Sequence, residues 1–458
     1  MSQPSPKQIS FITLGCAKNE VDTAHMTARL CEAAYDVLDW DELEQAAYTS
    51  EETLSMDDPT FALDAIIVNT CSFLQEAIEE NLEVIFDLAE LPAVANGRTK
   101  LIVAGCMPAR FGADLQAELT EPDLFIPCAE EDRIVDALDK LLEVERPSSQ
   151  TAPDPSTPTQ IAPGPSAYVK ISDGCNRFCS FCAIPFIRGR YHSFDYETIA
   201  TEVEQLIAQG TKEIVLIAQD TGRWGSDLEP KRTLAWLLDQ LATAYPNTWF
   251  RVLYIQPEHL DDALLETMVA HPNICNYLDI PFQHVDANLL ASMNRKGSRE
   301  TFEALLAHVR AVFPEVALRT TFIVGYPGET DEMFEELCDF TAEADLDYVG
   351  VFAFSSEEST RAAELPDQID DETKQERLRT LRGLADTISS SRLARFVGVE
   401  LPVLVLGCEE DGQLFGRSPY QAPDVDGVTY LDEGEIGQIV PVIIEDTLYY
   451  EMEGSRVH

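Results

Sequence analysis

Three cysteines fall within eight residues at Cys175-Asn-Arg-Phe-Cys179-Ser-Phe-Cys182, a CxxxCxxC run led by Asp173-Gly174 and followed by Arg188-Gly189-Arg190. Thiolates at such close spacing suit metal ligation better than core packing. A structural zinc site or a closed iron–sulfur cluster takes four protein ligands. No fourth Cys or His stands at a spacing that completes this one. His192 is the nearest candidate, but the aromatic and basic residues before it suit a substrate pocket better. The alternatives are a zinc knuckle and three buried cysteines packed as small hydrophobes. Three ligands fit an iron–sulfur cluster whose remaining iron is open to a small molecule.

A second set is dispersed in the chain. Cys16 lies in Leu14-Gly15-Cys16-Ala17-Lys18-Asn19, Cys71 in Asn69-Thr70-Cys71-Ser72-Phe73, and Cys106 in Ala104-Gly105-Cys106-Met107-Pro108. Each stands at or just past the carboxyl end of an expected strand (9–14, 62–69 and 101–104). In an open α/β sheet those ends lie together and ligands bind outside them. The spacing therefore predicts a second three-thiolate site. Cys31, Cys128, Cys275, Cys338 and Cys408 stand singly or inside apolar patterns and are read as structural.

The elements that must position these residues follow from periodicity. Strands alternate with helices (to about Cys31, 74–88 and 131–144) over residues 1–146, which predicts an α/β domain with a parallel sheet. Residues 36–58 carry nine acids and no Lys or Arg and read as a solvated excursion. Six prolines in 147–167 mark a semi-extended linker. Over 168–394, expected strands at 168–172, 213–218, 250–255, 277–281, 317–324 and 348–354 alternate with helices, a partial (β/α)6 barrel. Barrel chemistry belongs at the carboxyl ends of strands, where CxxxCxxC falls. A long helix spans 371–395. Four short strands with Gly turns over 395–458 predict a small β-barrel of the oligonucleotide-binding kind.

Composition narrows the class. The chain has 458 residues and 11 cysteines, with no basic, apolar leader and no long apolar run. That predicts reduced thiols or metal ligands in a cytoplasm, away from any membrane. The formal charge is −49, and only nine of 32 basic residues are Lys. The acid excess runs the length of the chain; it fits adaptation to a saline cytoplasm, where screening limits self-repulsion, as well as plain solubility or repulsion of nucleic acid.

CxxxCxxC with an aromatic before its last Cys, on the first strand of a partial barrel, resembles the radical S-adenosylmethionine superfamily. With the three N-terminal cysteines and a C-terminal barrel of the TRAM kind, the whole chain resembles the methylthiotransferases. The resemblance implies two [4Fe–4S] clusters. Cys175, Cys179 and Cys182 would hold the one whose open iron takes S-adenosylmethionine, with Phe181 near the adenine. One electron would then yield a 5′-deoxyadenosyl radical that removes hydrogen from an unactivated C–H. Cys16, Cys71 and Cys106 would hold the cluster that carries the inserted sulfur, and a second S-adenosylmethionine would give the methyl group. On the barrel rim, Gln219-Asp220, Gln283-His284 and Gly325-Tyr326-Pro327-Gly328-Glu329 are candidates, with Gln219 and Gly325 assigned to the cofactor. Arg188 and Arg190 suit a carboxylate contact as well as a surface role.

One branch of that family modifies a tRNA adenosine, another the β carbon of an aspartate in protein twelve of the small ribosomal subunit. RNA binding needs Lys and Arg for phosphates, whereas 395–458 carries 13 acids and three Lys or Arg. The strings at 416–427 and 347–355 resemble the ribosomal-protein branch. Ser359-Thr360, in place of a common Gly-Thr, and the length of the acidic excursion depart from the family pattern. The expected enzyme is a cytoplasmic monomer acting on the ribosomal protein, with the tRNA adenosine enzyme as runner-up and a flavodoxin or ferredoxin as electron donor. A non-catalytic iron–sulfur sensor is the alternative from another class.

Overall fold

The computed structural model describes residues 6–49, 63–145 and 164–458, so residues 147–163 of the expected 147–167 linker and most of the acidic excursion lie outside the described residues, while 166 and 167, expected in the linker, open a strand. The N-terminal segments form a parallel sheet in the order β2-β1-β3-β4-β5. Its strands are β1 (Gln8–Thr13), β2 (Asp36–Leu38), β3 (Ala65–Thr70), β4 (Lys100–Gly105) and β5 (Leu124–Pro127). Every residue of β3 is buried, because helices cover both faces; this is why the strand reads as an unbroken apolar run. Ile67 joins Ile9, Leu30 and Leu138 on one face, and Ile66 and Val68 join Ile85 and Val103 on the other. The covering helices are α1 (Ala17–Glu32), α2 (Trp40–Thr49), α3 (Gln75–Glu90), α4 (Pro92–Ala95), α5 (Cys106–Glu118) and α6 (Ile134–Leu141).

The sequence expectation for 36–58 is corrected at its start. β2 extends the sheet edge and α2 follows it; Leu38, Trp40 and Leu43 pack against the core behind the acidic residues. Net charge concealed a short amphipathic pattern. The strand β5 and helix α5 also lie beyond the expected elements. A short helix, α7 (Ile184–Ile187), belongs to the same compact unit, whose described residues are 6–49, 63–145 and 183–190.

The second compact unit comprises residues 162–182 and 191–458. Six parallel strands follow one another as expected: β6 (Ser166–Lys170), β9 (Glu213–Ile217), β10 (Trp249–Val252), β11 (Tyr277–Asp279), β12 (Ala317–Val324) and β13 (Tyr348–Ala353). They form sheets β10-β9-β6 and β11-β12-β13, bridged at Phe250 and Ile274. A two-residue antiparallel pair, β7 (Ser172–Asp173) and β8 (His192–Ser193), flanks the cysteine loop in sequence. The outer helices are α8 (Tyr196–Ala208), α9 (Leu234–Ala244), α10 (Asp262–Ala270), α11 (Ala287–Ser292), α12 (Arg299–Val312) and α13 (Asp331–Glu343). Each starts behind an Asp, Thr or Ser whose side chain accepts a first-turn N–H, which fixes the strand-to-helix turns.

After α14 (Asp371–Leu393), a closed barrel runs β14 (Glu400–Cys408), β15 (Leu414–Arg417), β16 (Thr429–Leu431), β18 (Glu451–Arg456) and β17 (Ile439–Leu448). The fifth strand, β18, exceeds the expected four. Only Met452 and Gly454 alternate inward in it, too little apolar signal to mark a strand.

The loop from β15 to β16 closes the amino end of the six-stranded barrel. Glu213, fully buried at the start of β9, accepts hydrogen bonds from Arg251 Nε at 2.9 Å, Arg417 Nε at 3.1 Å and Ser166 Oγ at 2.9 Å. Arg251 in turn donates to the carbonyls of Pro419 and Ser418 at 3.0 and 3.1 Å. Asp426 accepts from Tyr277 OH at 2.6 Å and from the Ala422 N–H at 2.8 Å.

Candidate active site

Both sets of cysteines sit where strands end, and each is built by its own unit. In the N-terminal unit, Cys16 caps α1, Cys71 follows β3, and Cys106 opens α5 directly after β4. Two glycines make this possible. Gly15 and Gly105 have φ of +113° and +91°, left-handed values that favour glycine. A Cβ on Gly15 would press into the Cys71 side chain, and one on Gly105 would overlap Asn69 Oδ1.

Asn19 and Asn69 lock the strand ends. Asn19 Nδ2 donates to Asn69 Oδ1 and to the Thr70 carbonyl at 3.2 and 3.0 Å, and Asn69 Nδ2 donates to the Asn19 carbonyl at 2.9 Å. Thr70 Oγ1 joins Ala104 to Met107 across the next strand, and Asn81 Nδ2 holds the Cys71 carbonyl at 2.6 Å. Cys16 Sγ lies 3.3 Å from Asn19 Oδ1.

Burial pushes the Cys106 thiol well up. The Arg188 guanidinium draws it back, while the nearby Cys128, Cys71 and Cys16 add to the rise. Burial also raises the Cys71 thiol, with Cys16 again contributing. The three sulfurs thus feel one another, and such thiols ionise readily only beside cationic charge. Arg188 Nη1 donates to Asp22 Oδ2 at 2.7 Å, and Nη2 lies 3.6 Å from Cys106 Sγ; both side chains are 3% exposed. The carboxylate-contact reading of Arg188 holds and the surface reading does not, while Arg190 is exposed. Cys128, read as structural, also lies here: it packs with Cys106, Ala183 and Ile187 at the carboxyl end of β5.

In the second unit, Cys175 is buried and Cys179 and Cys182 are half-buried. Burial pushes the Cys175 thiol up, against the pull of a backbone hydrogen bond at Arg177. The loop is clamped from several sides. Arg177 pairs with Asp220 at 2.9 Å and with Glu258 at 2.6 Å. Asn294 Nδ2 donates to the Arg177 and Phe178 carbonyls at 2.8 and 3.1 Å. Ser180 Oγ contacts the Ser292 carbonyl at 2.8 Å and Tyr326 OH at 2.7 Å. Arg295 reaches from the same 292–295 turn, with Nη1 3.8 Å from Cys179 Sγ and Nη2 donating to the Pro281 carbonyl at 2.8 Å. Sequence reasoning missed this Arg, as no local pattern announces it. His192, on β8, is exposed and stands edge-on to Phe194.

The rim carries several buried polar atoms. Gln219 Oε1, Thr221 Oγ1, Arg223 Nε and Gln256 Oε1, past the carboxyl ends of β9 and β10, are buried with no hydrogen-bond partner among the described residues. Unsatisfied buried groups are rare enough to demand a ligand or water. Phe181 packs on the barrel core. Gly325 has φ +72° and abuts the Lys374 side chain, and its N–H is taken by Glu329, which also pairs with His284 and Arg377. These bonds make the 325–329 turn a braced structural element, leaving only its outer groups for a ligand.

Among the described residues no three His, Cys, Asp or Glu side chains close on a single metal ion. A four-iron cube asks something else, one thiolate per iron, set farther apart. Three thiols on neighbouring strand ends cleared by Gly15 and Gly105 in one unit, three on a single loop in the other, and a guanidinium beside one sulfur of each set fit such a group.

A six-stranded partial barrel with three cysteines on the loop after its first strand defines a radical S-adenosylmethionine enzyme. Residues 169–341 match the radical SAM superfamily, 397–457 the TRAM domain, and 42–127 the uncharacterized protein family UPF0004. The radical S-adenosylmethionine methyltransferase TsrM from Kitasatospora setae shares the fold, with a TM-score of 0.54 at 15% identity over 76% of this chain and 72% of that one. The cobalamin-dependent radical enzyme OxsB shares it at a TM-score of 0.51 and 13% identity, over 84% and 56% of the two chains. Sequence is more specific. The ribosomal protein uS12 methylthiotransferase RimO of Trichlorobacter lovleyi is 37% identical over 100% of both chains. That of Geobacter sulfurreducens is 38% identical over 98% of this chain and 99% of its own. The chain belongs to the ribosomal protein uS12 methylthiotransferase family.

Proposed function

We propose that this chain replaces a hydrogen on the β carbon of an aspartate in ribosomal protein uS12 with a methylthio group. What supports the proposal is that Cys16, Cys71 and Cys106 stand at strand ends and Cys175, Cys179 and Cys182 on the loop after the first barrel strands, in a chain that matches uS12 methylthiotransferases from end to end. Cys175, Cys179 and Cys182 would hold one [4Fe–4S] cluster and Cys16, Cys71 and Cys106 a second. When bound, the first supplies with S-adenosylmethionine the radical that breaks an unactivated C–H, and the second supplies sulfur; the methyl group comes from S-adenosylmethionine.

The chain's own residues do the rest. The Arg177–Asp220–Glu258 pairs, Ser180 and Asn294 fix the first cysteine loop before any ligand arrives, so little orientation entropy remains to be lost. Gln219, Thr221, Arg223 and Gln256 offer unsatisfied donors and acceptors to orient S-adenosylmethionine and the substrate segment. Phe181 serves the adenine, and the outer groups of the turn at Gly325 the nucleoside.

Charge favours a protein over tRNA. The C-terminal barrel holds 13 acids and only Arg395, Arg417 and Arg456 as Lys or Arg. Each already faces a carboxylate: Asp347, Glu213 and Glu433 respectively. Few cations remain for phosphates, whereas a basic ribosomal protein suits such a surface. The 416–427 string, which resembles the ribosomal-protein branch, is bonded into the barrel floor through Arg417, Ser418 and Asp426 and acts as scaffold. The working form is a cytoplasmic monomer served by a flavodoxin- or ferredoxin-type donor. Among the described residues no helix is long and apolar enough to cross a membrane.

The test is anaerobic reconstitution with iron and sulfide, then incubation with reductant, S-adenosylmethionine and either uS12 or tRNA. A gain of one methylthio group on uS12, with 5′-deoxyadenosine, is expected. The gain on tRNA alone would overturn the substrate, and no 5′-deoxyadenosine with either would favour an iron–sulfur sensor.

A further inference from the structure

We propose that Arg188, held by Asp22, is a positioning residue that sets the charge, and hence the reduction potential, of the cluster on Cys16, Cys71 and Cys106. Its position carries the inference. The guanidinium is 3% exposed, Nη2 stands 3.6 Å from Cys106 Sγ, and Nη1 is fixed 2.7 Å from a carboxylate that is equally buried. A cation held there is little screened by salt. A positive charge and an N–H donor beside a cluster sulfur both favour the reduced, more negative state, two of the levers by which proteins tune such centres. Asp22 has two effects of opposite kind: it orients the fork and offsets part of its charge.

The residue also comes from an unexpected place in the chain. Cys16, Cys71 and Cys106 belong to strand ends of the N-terminal sheet, but Arg188 follows Cys182 by six positions. Residues 183–190 form part of the N-terminal compact unit, with Ala183 and Ile187 packed on Cys106. The segment issuing from the radical-forming CxxxCxxC loop therefore contributes a side chain to the sulfur-carrying site.

The inference rests on the reading that these three cysteines hold a cluster, and the experiment separates the two. The full-length chain with Cys175, Cys179 and Cys182 each changed to Ala is reconstituted, so that all signal comes from the N-terminal site. Iron and sulfide are assayed, and the midpoint potential is read by electron paramagnetic resonance during a reductive titration. Arg188→Gln is expected to lower the potential, Arg188→Lys to restore part of it, and Asp22→Asn to raise it, with iron content unchanged. Shifts of opposite sign at the two partners are not produced by a packing defect. Unchanged potentials with iron retained would overturn the proposal. Equal loss of iron in all three variants would show a packing role and overturn it as well. A parent that holds no iron would instead sink the cluster reading on which the inference depends.

Discussion

Replacing Glu213 by Gln tests how the C-terminal barrel is bolted to the catalytic one. Glu213 is fully buried and bridges two guanidinium groups: Arg251, itself fully buried, and Arg417, 8% exposed. Burial alone would raise its carboxyl, yet Arg417 and Arg251 hold it down to about 2 from an ordinary 4.5. That depression corresponds to about 3 kcal/mol favouring the ionised form. Removing one partner of a buried pair costs about 3–5 kcal/mol, because Arg251 and Arg417 are left without a counter-charge. The expected loss at pH 7 is therefore about 3–5 kcal/mol. Because the folded value is depressed, the stabilisation is full above pH 4.5 and fades as pH falls through about 2. The gap between wild type and Glu213→Gln should be flat above about pH 5 and shrink below it. Urea unfolding of the cluster-free protein, followed by the fluorescence of Trp224, Trp236 and Trp249, reads the unit that contains both barrels. A difference under about 1 kcal/mol at pH 7, or one that does not narrow in acid, would refute the bolt.

Asp426 titrates in the opposite sense: burial outweighs Arg319 and Tyr277 and raises its carboxyl to about 6 from 3.8. The stabilisation from its protonated form is complete below 3.8 and lost as pH rises through about 6. The stability of Asp426→Asn relative to wild type should thus improve by about 3 kcal/mol between pH 3.5 and pH 7.5 in urea titrations. Gly105→Ala places a side chain at φ +91° against Asn69 Oδ1; a loss of about 1–3 kcal/mol is expected, with depleted iron at the N-terminal site by elemental assay. Gln219→Ala removes an acceptor that is unpartnered among the described residues on the rim. Affinity for S-adenosylmethionine, by equilibrium dialysis of the reconstituted protein, should fall about tenfold; unchanged affinity would exclude that contact.

Much of the architecture was legible because the barrel strands are buried on both faces and the outer helices alternate with them. All six barrel strands fall close to their expected places, from β6 to β13. Local misses have local causes. β2 and α2 lay behind a run of acids in which Leu38, Trp40 and Leu43 carried the pattern, and β18 has two inward residues. For the sites, strand-end cysteines and CxxxCxxC spacing are visible in one dimension. Arg188, Asp22 and Arg295 are not, since a guanidinium reaches its sulfur through the fold and leaves no spacing to read. The 416–427 string shows the converse limit. A distinctive sequence was legible, but its placement in the barrel floor was not, because Arg251 and Glu213 lie more than 160 residues away from their partners in the chain.

The central claim is that this chain takes a hydrogen from the β carbon of an aspartate in uS12. uS12 carrying aspartate deuterated at that carbon, incubated with the reconstituted chain, reductant and S-adenosylmethionine, tests it directly by mass spectrometry. The account predicts one deuterium in the 5′-deoxyadenosine and a methylthio group on the same aspartate. Methylthiolated uS12 accompanied by unlabelled 5′-deoxyadenosine, or label transfer with no methylthio product, would contradict it.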